Sequence, residues 1–432
     1  MTNPKKRNFI KKWKKQQRKI LQQKYPEASK EVINDFLDDL IEERLTILPA
    51  EIHNNYIHKS IKTDLLEVID WIEETKPICA GYGVFYKNQE IIKNPLATMI
   101  NGFLVSRKKF KGQLKFVADK TSFEYATLDR QQLSEKVVAN SIYGCSGNRA
   151  SFMFNLYVAP SITASGQSLI STTEQAFEAF MTNSVLFNDL NECFTFIRNI
   201  QEEKYEIDSF IPRVPINKVY DRLASMFYDW DERYFDFIWD YLLTLTDDEL
   251  IKIYYKNNIY EFSKIYEIKS RLVHMCSKVD SFLDPNKPPE IIQNDLDELW
   301  SYYEKYVFYN YPPINRIQRL KFEKRKSVLT IDTDSNMINL HPWVEFMDDN
   351  IYIDDVFDGR DEDDLWFISI NVMAYLISKM IKGVLTKYTN RVNIPKDYQH
   401  YINMKNEYKN LYSYRGNTII ENSSNCWELL AG

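Results

Sequence analysis

The stretch that decides the fold is SVLTIDTDSNMINL, residues 327–340. β-Branched and apolar residues on both sides of a polar, turn-forming centre predict a β-hairpin. Its tip carries Asp332 and Asp334 around a single threonine. Two carboxylates on one tight turn point the same way and cannot neutralise each other, so the tip favours a hard divalent cation such as Mg²⁺. The alternative is an ordinary turn, because Asp and Ser favour turns by bonding their own backbone.

A second group of polar residues lies upstream, in the segment KVVANSIYG at 136–144. On a helix Lys136, Asn140 and Tyr143 share one stripe, since they stand at positions i, i+4 and i+7. A cation there can meet a phosphate while the amide and the phenol contact a base pair. The alternative is a polar helix face that ends at a Gly144 C-cap, which explains the glycine but not the other three residues.

A third element is the pair Arg107 and Lys111, again at i and i+4 on a predicted helix. Two cations on one face repel each other by a few tenths of a kcal/mol unless an anion lies between them. A polyphosphate is therefore a natural partner. A solvated basic face is the alternative, and it would be preferred if this pair stood alone.

Together these elements resemble the ordered motifs of family B DNA polymerases of the tailed-phage type. Lys136–Gly144 resembles motif B, and Asp332–Ser335 resembles motif C. Arg107–Gly112 is similar to the first fingers helix, and Ala159–Glu178 resembles the palm helix that follows motif B. Motif C departs from the family pattern because Thr330-Ile331 replaces the usual Tyr-Gly before the first aspartate.

The resemblance implies an α+β chain: a palm with an antiparallel carboxylate hairpin, helical fingers and a large helical insertion. It implies template-directed nucleotidyl transfer with two Mg²⁺ ions, in which Asp332 and Asp334 are catalytic metal ligands and Asp334 is the principal one. Arg107, Lys111 and Lys136 would bind the dNTP triphosphate, and Asn140 and Tyr143 would line the pocket of the nascent base pair.

The same resemblance predicts the order of segments along the chain. They are a charged helical extension (1–76), a palm-proximal β segment (77–95), fingers (96–140), palm (141–189), a helical insertion (190–325), and a second palm segment with motif C that leads toward the thumb (326–432).

One family motif is missing from the sequence. The first palm motif, an Asp followed by Ser-Leu-Tyr-Pro, should precede the fingers, but the nearby Tyr25-Pro26 has Ile20 where the aspartate should stand. We therefore expect a divided polymerase that binds primer-template DNA and dNTP. Partner chains would bear the first palm motif and the thumb, share the Mg²⁺ ions, and contact Met404–Tyr414 and the strand before Ile92. The alternative is a catalytically silent relative that serves as a DNA-binding or assembly module.

Charge and composition limit the other possibilities. The net charge of −6 argues against a protein that coats nucleic acid by charge alone, although the first 24 residues form a basic cluster. The 5 cysteines have no zinc-site spacing, which indicates reduced thiols in a cytoplasmic protein, here expected in the host cell of a phage. The apolar segment Phe367–Leu385 is interrupted by Asn371 and lysines, so it predicts a core helix and no membrane contact.

Overall fold

The computed structural model describes residues 4–44, 49–54, 57–88, 90–91, 94–229, 231–232, 234–282, 284–308, 325–331, 335–400, 402–406 and 424–431. Helices predominate, and the strands form small antiparallel sheets. This agrees with the predicted α+β class. The predicted metal ligands Asp332 and Asp334, together with Ile92 and 407–414, lie outside the described residues.

The described helices are α1 (Pro4–Lys24), α2 (Lys30–Arg44), α3 (Leu65–Thr75), α4 (Pro95–Leu114), α5 (Phe123–Gly147), α6 (Val158–Met181), α7 (Leu190–Gln201), α8 (Ile216–Ala224), α9 (Tyr234–Leu243), α10 (Asp247–Tyr255), α11 (Ile259–Ser263), α12 (Tyr266–Ser277), α13 (Glu290–Tyr302), α14 (His341–Asn350), α15 (Glu362–Arg391) and α16 (Lys396–Gln399). The strands are β1 (Pro49–Asn54), β2 (Lys59–Asp64), β3 (Ile78–Cys79), β4 (Phe85–Tyr86), β5 (Val328–Ile331), β6 (Ser335–Asn339), β7 (Ile402–Asn406) and β8 (Ser424–Ala431).

The chain divides into two compact units, of which the first comprises residues 1–79 and 85–94. In it α1 packs on α2, whose apolar residues Ile33, Leu37 and Ile41 repeat at helical spacing and are buried. Strands β1 and β2 pair antiparallel, and Asp64 then caps α3 by accepting the Glu67 backbone N–H at 2.9 Å. The sequence predicts only helices over 1–76, and this hairpin corrects that prediction.

The second unit comprises residues 80–84 and 95–432. It contains the antiparallel sheet with strand order β5-β6-β8-β7, in which the predicted hairpin forms one edge. Strand β8 joins the hairpin to β7 by pairing with both β6 and β7. The hairpin prediction is thus confirmed over its described strands, with Val328 opposite Ile338 and Ile331 opposite Asn336.

One continuous core fills the second unit, from Leu169 on α6 to Met404 on β7. Helix α15 runs through it and is apolar on most of its surface, as a helix covered by neighbours should be. By length and hydropathy α15 is the one described helix that could cross a membrane, yet 78% of its apolar window is buried inside the protein. The core-helix prediction for Phe367–Leu385 is therefore confirmed. The helices of the predicted insertion, α7–α13, contribute to the same core.

Three helix or strand boundaries differ from the sequence prediction. The sequence predicts a helix from about residue 129 to 140, but helix α5 runs from Phe123 to Gly147, because Ser122 caps its start by accepting the Tyr125 N–H at 3.1 Å. The sequence predicts the next helix from about Ser161 to Met181, and α6 begins earlier, at Val158. The sequence predicts one β run over 78–86 followed by a turn at Lys87–Gln89, but 78–86 is a short hairpin with its own turn at residues 80–84. A further turn does follow at Asn88, whose backbone carbonyl accepts the Ile91 N–H at 3.0 Å.

Candidate active site

The antiparallel helices α4 and α5 carry the predicted phosphate-binding cations. Ser106 on α4 donates to the Glu135 Oε1 at 2.8 Å, and the Arg107 Nε donates to the Gln132 Oε1 at 3.5 Å. Since Gln132 and Lys136 are one helical turn apart on α5, this register brings the guanidinium of Arg107 close to the turn that carries Lys136. Lys111 lies one turn along α4 from Arg107.

These three cations have no acidic partner among the residues that the structure describes. Arg107 is half-buried, whereas Lys111 and Lys136 are exposed, and none forms an ion pair with another described residue. Cations on neighbouring turns without acidic partners repel each other, so an anion that binds between them relieves the repulsion. The helix pair therefore offers a site for a phosphate-rich ligand.

The other end of α5 opens into a cavity of about 540 Å³. Tyr143 lies at its edge, 45% exposed, and its hydroxyl is 2.9 Å from the Thr163 Oγ1 on α6. This contact fixes the phenol ring between the two helices. The cavity is lined by Tyr82, Tyr143, Gly147, Arg149, Phe154, Asn155, Leu156, Ala159, Pro160, Thr163 and Ala164. Aromatic faces beside a cation suit a stacked base, whereas Asn140 is exposed on α5 and is not part of this lining.

The turn at residues 80–84 reaches the cavity because it contains a glycine. The Gly81 N–H donates to the Ser165 Oγ at 3.0 Å. A Cβ at this position would lie 2.7 Å from the backbone of Ala164, a distance that side chains essentially never adopt. Gly81 thus lets two backbones touch and brings Tyr82 to the cavity wall.

The carboxylate hairpin is described up to its tip. Strand β5 ends at Ile331 and β6 begins at Ser335, so Asp332 and Asp334 connect two paired strands. Val328 and Ile338 anchor the hairpin in the core. The donor set, two carboxylates on a connection of this length, fits the oxygen preference of Mg²⁺. Among the residues the structure describes, no group of three or more His, Cys, Asp or Glu side chains could hold a metal.

A buried carboxylate on α6 holds the base of this hairpin. Glu178 is 3% exposed and accepts the backbone N–H groups of Lys326 at 3.1 Å, Ser327 at 2.9 Å and Val328 at 2.6 Å. The same carboxylate accepts the hydroxyls of Thr182 at 2.9 Å and Ser184 at 3.3 Å. Charge-assisted hydrogen bonds to backbone N–H groups are among the stronger contacts in proteins. Glu178 therefore ties together the end of α6 and the start of β5.

A second contact fixes the returning strand of the hairpin. Asn336 on β6, fully buried, donates from Nδ2 to the Thr173 Oγ1 on α6 at 3.0 Å. Beside it the Arg325 Nη1 lies 3.6 Å from the Glu174 Oε1. Helix α6 therefore holds both strands that lead into the Asp332–Asp334 connection.

The sequence singles out Arg107, Lys111, Lys136, Asn140 and Tyr143, and the structure places them on the α4–α5 pair and at the cavity beside it. Sequence reasoning misses Tyr82 and Arg149 as cavity residues and Glu178 as an anchor. For Tyr82 the sequence does hold a signal, the triplet Gly81-Tyr82-Gly83, because paired glycines indicate close approach of two backbones. No sequence signal identifies the contacts of Glu178.

Comparison with known protein families gives two matches, and together they leave residues 211–291 between them. The model "DNA polymerase family B" matches residues 26–210, and the model "Divergent Family B DNA polymerase" matches residues 292–414. The first match begins inside the segment predicted as an extension, and the second begins inside the predicted insertion. No solved structure matches the chain significantly.

Among curated relatives, the DNA polymerase catalytic subunit of varicella-zoster virus is 30% identical over 109 residues, 24% of this chain and 9% of the relative. The DNA polymerase delta catalytic subunit of Drosophila melanogaster is 30% identical over 100 residues, 23% of this chain and 9% of the relative. The DNA polymerase catalytic subunit of Psittacid herpesvirus 1 is 28% identical over 137 residues, 31% of this chain and 12% of the relative.

The chain thus spans roughly a tenth of the length of these relatives. Both family models name family B DNA polymerases, and each of these relatives is a DNA polymerase catalytic subunit. Residues 26–210 and 292–414 of this chain therefore carry homology to family B DNA polymerases.

Proposed function

We propose that this chain contributes the fingers and part of the palm to a DNA-directed DNA polymerase. The observation that supports it best is the α4–α5 helix pair, in which Arg107 bonds to Gln132, one helical turn from Lys136, and neither cation forms an ion pair with a described residue. The family matches supply the reaction class, template-directed addition of nucleotides to a DNA primer.

In the proposed reaction a primer 3′-hydroxyl attacks the α-phosphate of a dNTP, and pyrophosphate leaves. Arg107, Lys111 and Lys136 bind the triphosphate and offset the negative charge that develops on the leaving group. Asn140 and Tyr143 contact the nascent base pair, the latter held by its bond to Thr163. Asp332 and Asp334 hold Mg²⁺, which when bound supplies positive charge at the reacting phosphate.

We further propose that the remaining palm carboxylate comes from another polypeptide. This rests on the sequence, in which no Asp followed by Ser-Leu-Tyr-Pro occurs among the 432 residues. We call the assembly of this chain with the polypeptide that bears that motif the complete enzyme. It would share its Mg²⁺ ions across the two chains, include a thumb-bearing partner, and act in the cytoplasm of a phage-infected cell.

Substitution of the fingers cations tests the nucleotide site. In the complete enzyme, Lys136→Ala and Arg107→Ala are each expected to raise the KM for dNTP or lower kcat. The loss should be about 1.5–3 kcal/mol, typical of a charge-assisted hydrogen bond. That corresponds to roughly 10- to 150-fold, measured by steady-state primer extension at varied dNTP concentration.

The matched control is Lys109→Ala, which removes an exposed lysine from the same helix on a different face. It should leave nucleotide kinetics within about twofold, and the dissociation constant for primer-template should be unchanged in all variants. Normal nucleotide kinetics in both Lys136→Ala and Arg107→Ala would mean that these residues belong to a solvated basic face and do not bind the nucleotide. A complete enzyme that binds primer-template but extends no primer would instead favour the silent DNA-binding module.

A further inference from the structure

The exposed face of helix α1 has a charge pattern that the polymerase site does not use. Lys11, Lys15 and Lys19 are spaced at i, i+4 and i+8, and all three are exposed. Positions four apart on a helix lie on one face about 6 Å apart along the axis. The three side chains therefore form one row, which we call the lysine row.

Helix α1 contains no acidic residue that could neutralise the lysine row. The neighbouring helix α2 is acidic, but its contacts engage two other basic residues of α1: Lys14 pairs with Asp38, and the Arg18 Nε donates to the Asn34 Oδ1 at 2.6 Å. The lysine row has no ion pair with a described residue. Mutual repulsion along the row makes a linear polyanion a favourable ligand.

We propose that the lysine row binds the phosphate backbone of a nucleic acid. A regular row of like charges matches a ligand whose own charges repeat, and neutralising phosphates releases condensed counterions. An anionic membrane would need the apolar side of α1 as well. That side is not available, because Trp13, Ile20 and Leu21 are half-buried where α1 packs on the buried residues of α2.

This surface goes beyond the proposed function, because α1 (Pro4–Lys24) lies entirely outside both family matches and has no role in the proposed reaction. The lysine row would contact phosphates and not bases. Contacts to phosphates position a protein on nucleic acid but carry no information about base sequence. We therefore expect the lysine row to hold DNA regardless of sequence.

The test compares two triple variants of the full chain by fluorescence anisotropy with a labelled primer-template duplex, without Mg²⁺ or dNTP. Lys11→Ala/Lys15→Ala/Lys19→Ala should weaken binding about 10-fold or more near 0.1 M salt. The slope of log affinity against log salt should fall by roughly 2 to 3, since each lost phosphate contact accounts for about 0.9. The control is Lys30→Ala/Lys59→Ala/Lys62→Ala, which removes the same charge from exposed positions of the same unit.

Equal affinity and equal salt slope for the two triple variants would overturn the proposal. So would a loss seen only with phosphatidylserine vesicles and not with DNA. Alanine is a strong helix former, so α1 should stay folded, and circular dichroism checks this. The binding measurement needs no catalysis, so it can contradict the lysine-row proposal and leave the proposed nucleotidyl transfer intact. In the same way, nucleotide kinetics can contradict the proposed function while the lysine row still binds DNA.

A separate observation concerns Glu178, and it rests on the proposed function. We infer that Glu178 is a positioning residue for the carboxylate hairpin. Its carboxylate accepts backbone N–H groups from Lys326, Ser327 and Val328, and Val328 is the first residue of the strand that ends next to Asp332. It also accepts from Thr182 and Ser184, where the chain leaves α6 for the helices α7–α13.

The Glu178 carboxylate therefore holds both ends of the segment 184–326 against α6. Because β5 takes its position from α6 through this contact, the helices between the two ends can shift without moving β5. Without it, three backbone N–H groups near the hairpin would lose their shared acceptor. The carboxylates at the tip would then be placed less precisely for binding metal. Ligand atoms at such sites must lie within about 0.5 Å of their productive positions.

The test measures kcat, KM and the Mg²⁺ concentration for half-maximal activity in the complete enzyme. Glu178→Gln should lower kcat about 10-fold and raise the required Mg²⁺, with the dNTP KM and the DNA dissociation constant within about twofold. The control Glu203→Gln removes a carboxylate that pairs with buried Lys256 at 2.5 Å, away from the hairpin. It should lower the melting temperature without changing the Mg²⁺ requirement.

A Glu178→Gln enzyme that melts earlier but keeps its kcat and Mg²⁺ response below the melting temperature would reduce Glu178 to a structural residue. If Glu178→Gln does not fold, Glu178→Asp keeps the charge with a shorter reach and should show the same shift in Mg²⁺ requirement. An unchanged requirement there would also contradict the inference. An inactive unsubstituted enzyme would instead contradict the proposed function itself.

Discussion

Replacing Asp334 with alanine is expected to abolish DNA synthesis by the complete enzyme. We expect a loss of about 1,000-fold or more in kcat, roughly 4 kcal/mol, because the substitution removes the side chain that we propose as this chain's principal metal ligand. Binding of duplex DNA should be nearly intact, since the removed group holds metal and not the nucleic acid. Single-turnover primer extension with Mg²⁺ measures the first quantity, and anisotropy with the same duplex measures the second.

Three controls define this result. Asp332→Ala should give a smaller loss, as expected for a supporting ligand. Asp349→Ala, which removes an exposed carboxylate from α14 in the same unit, should leave synthesis unchanged. Removal of Mg²⁺ with a chelator should reduce the unsubstituted enzyme to the level of Asp334→Ala. Near-normal turnover of Asp334→Ala would mean that the hairpin β5–β6 is not the catalytic one.

Local patterns predict the elements that carry the candidate site. The β-branched run before Asp332 and the apolar run after it predict strands β5 and β6, because side-chain alternation and turn residues are encoded within a few positions. Lys136, Asn140 and Tyr143 share a helix face for the same reason. The structure agrees on both points, with β5 and β6 paired and all three residues on α5.

The ends of helices are less predictable than their existence, because a single capping side chain decides where a helix begins. Helix α5 extends beyond both predicted ends, to Phe123 and Gly147, and the cap that starts it is a Ser122 side chain whose sequence context also suits a turn. The alternative C-cap at Gly144 is wrong, since the helix continues to Gly147 and Asn148 is its C-cap. The hairpin β1–β2 lies in a charged segment whose strands are mostly exposed, so hydrophobic alternation does not indicate it.

Contacts between distant parts of the chain cannot be inferred from one sequence. Glu178 bonds to backbone groups 148 to 150 residues away, and the Gly81 N–H bonds to a serine 84 residues away. Nothing in the sequence around Lys256 shows that it is fully buried and paired with Glu203. Burial alone lowers the pKa of this lysine, and the carboxylate opposes that shift.

The purified 432-residue chain is expected not to extend primers by itself. A two-metal site needs carboxylates from two palm strands, and only the hairpin pair Asp332 and Asp334 is recognisable in this sequence. At the position where the first palm aspartate should precede Tyr25-Pro26 stands Ile20, which cannot ligate a metal. The expected result in a gel assay with Mg²⁺, dNTP and labelled primer-template is no product above background.

Adding a polypeptide that carries the Asp-x-x-Ser-Leu-Tyr-Pro motif should restore extension, and the restored activity should again be lost with Asp334→Ala. The two chains should form a stable complex, with an interface of about 2,000 Å² or more as expected of an obligate complex, and mass photometry of the mixture should show a particle with the summed mass of both chains. Extension by the chain alone that disappears with Asp334→Ala would overturn the proposal of a second polypeptide, because this chain would then supply every catalytic carboxylate. Extension by the purified chain that persists with Asp334→Ala would contradict both the second polypeptide and the catalytic role of the hairpin β5–β6.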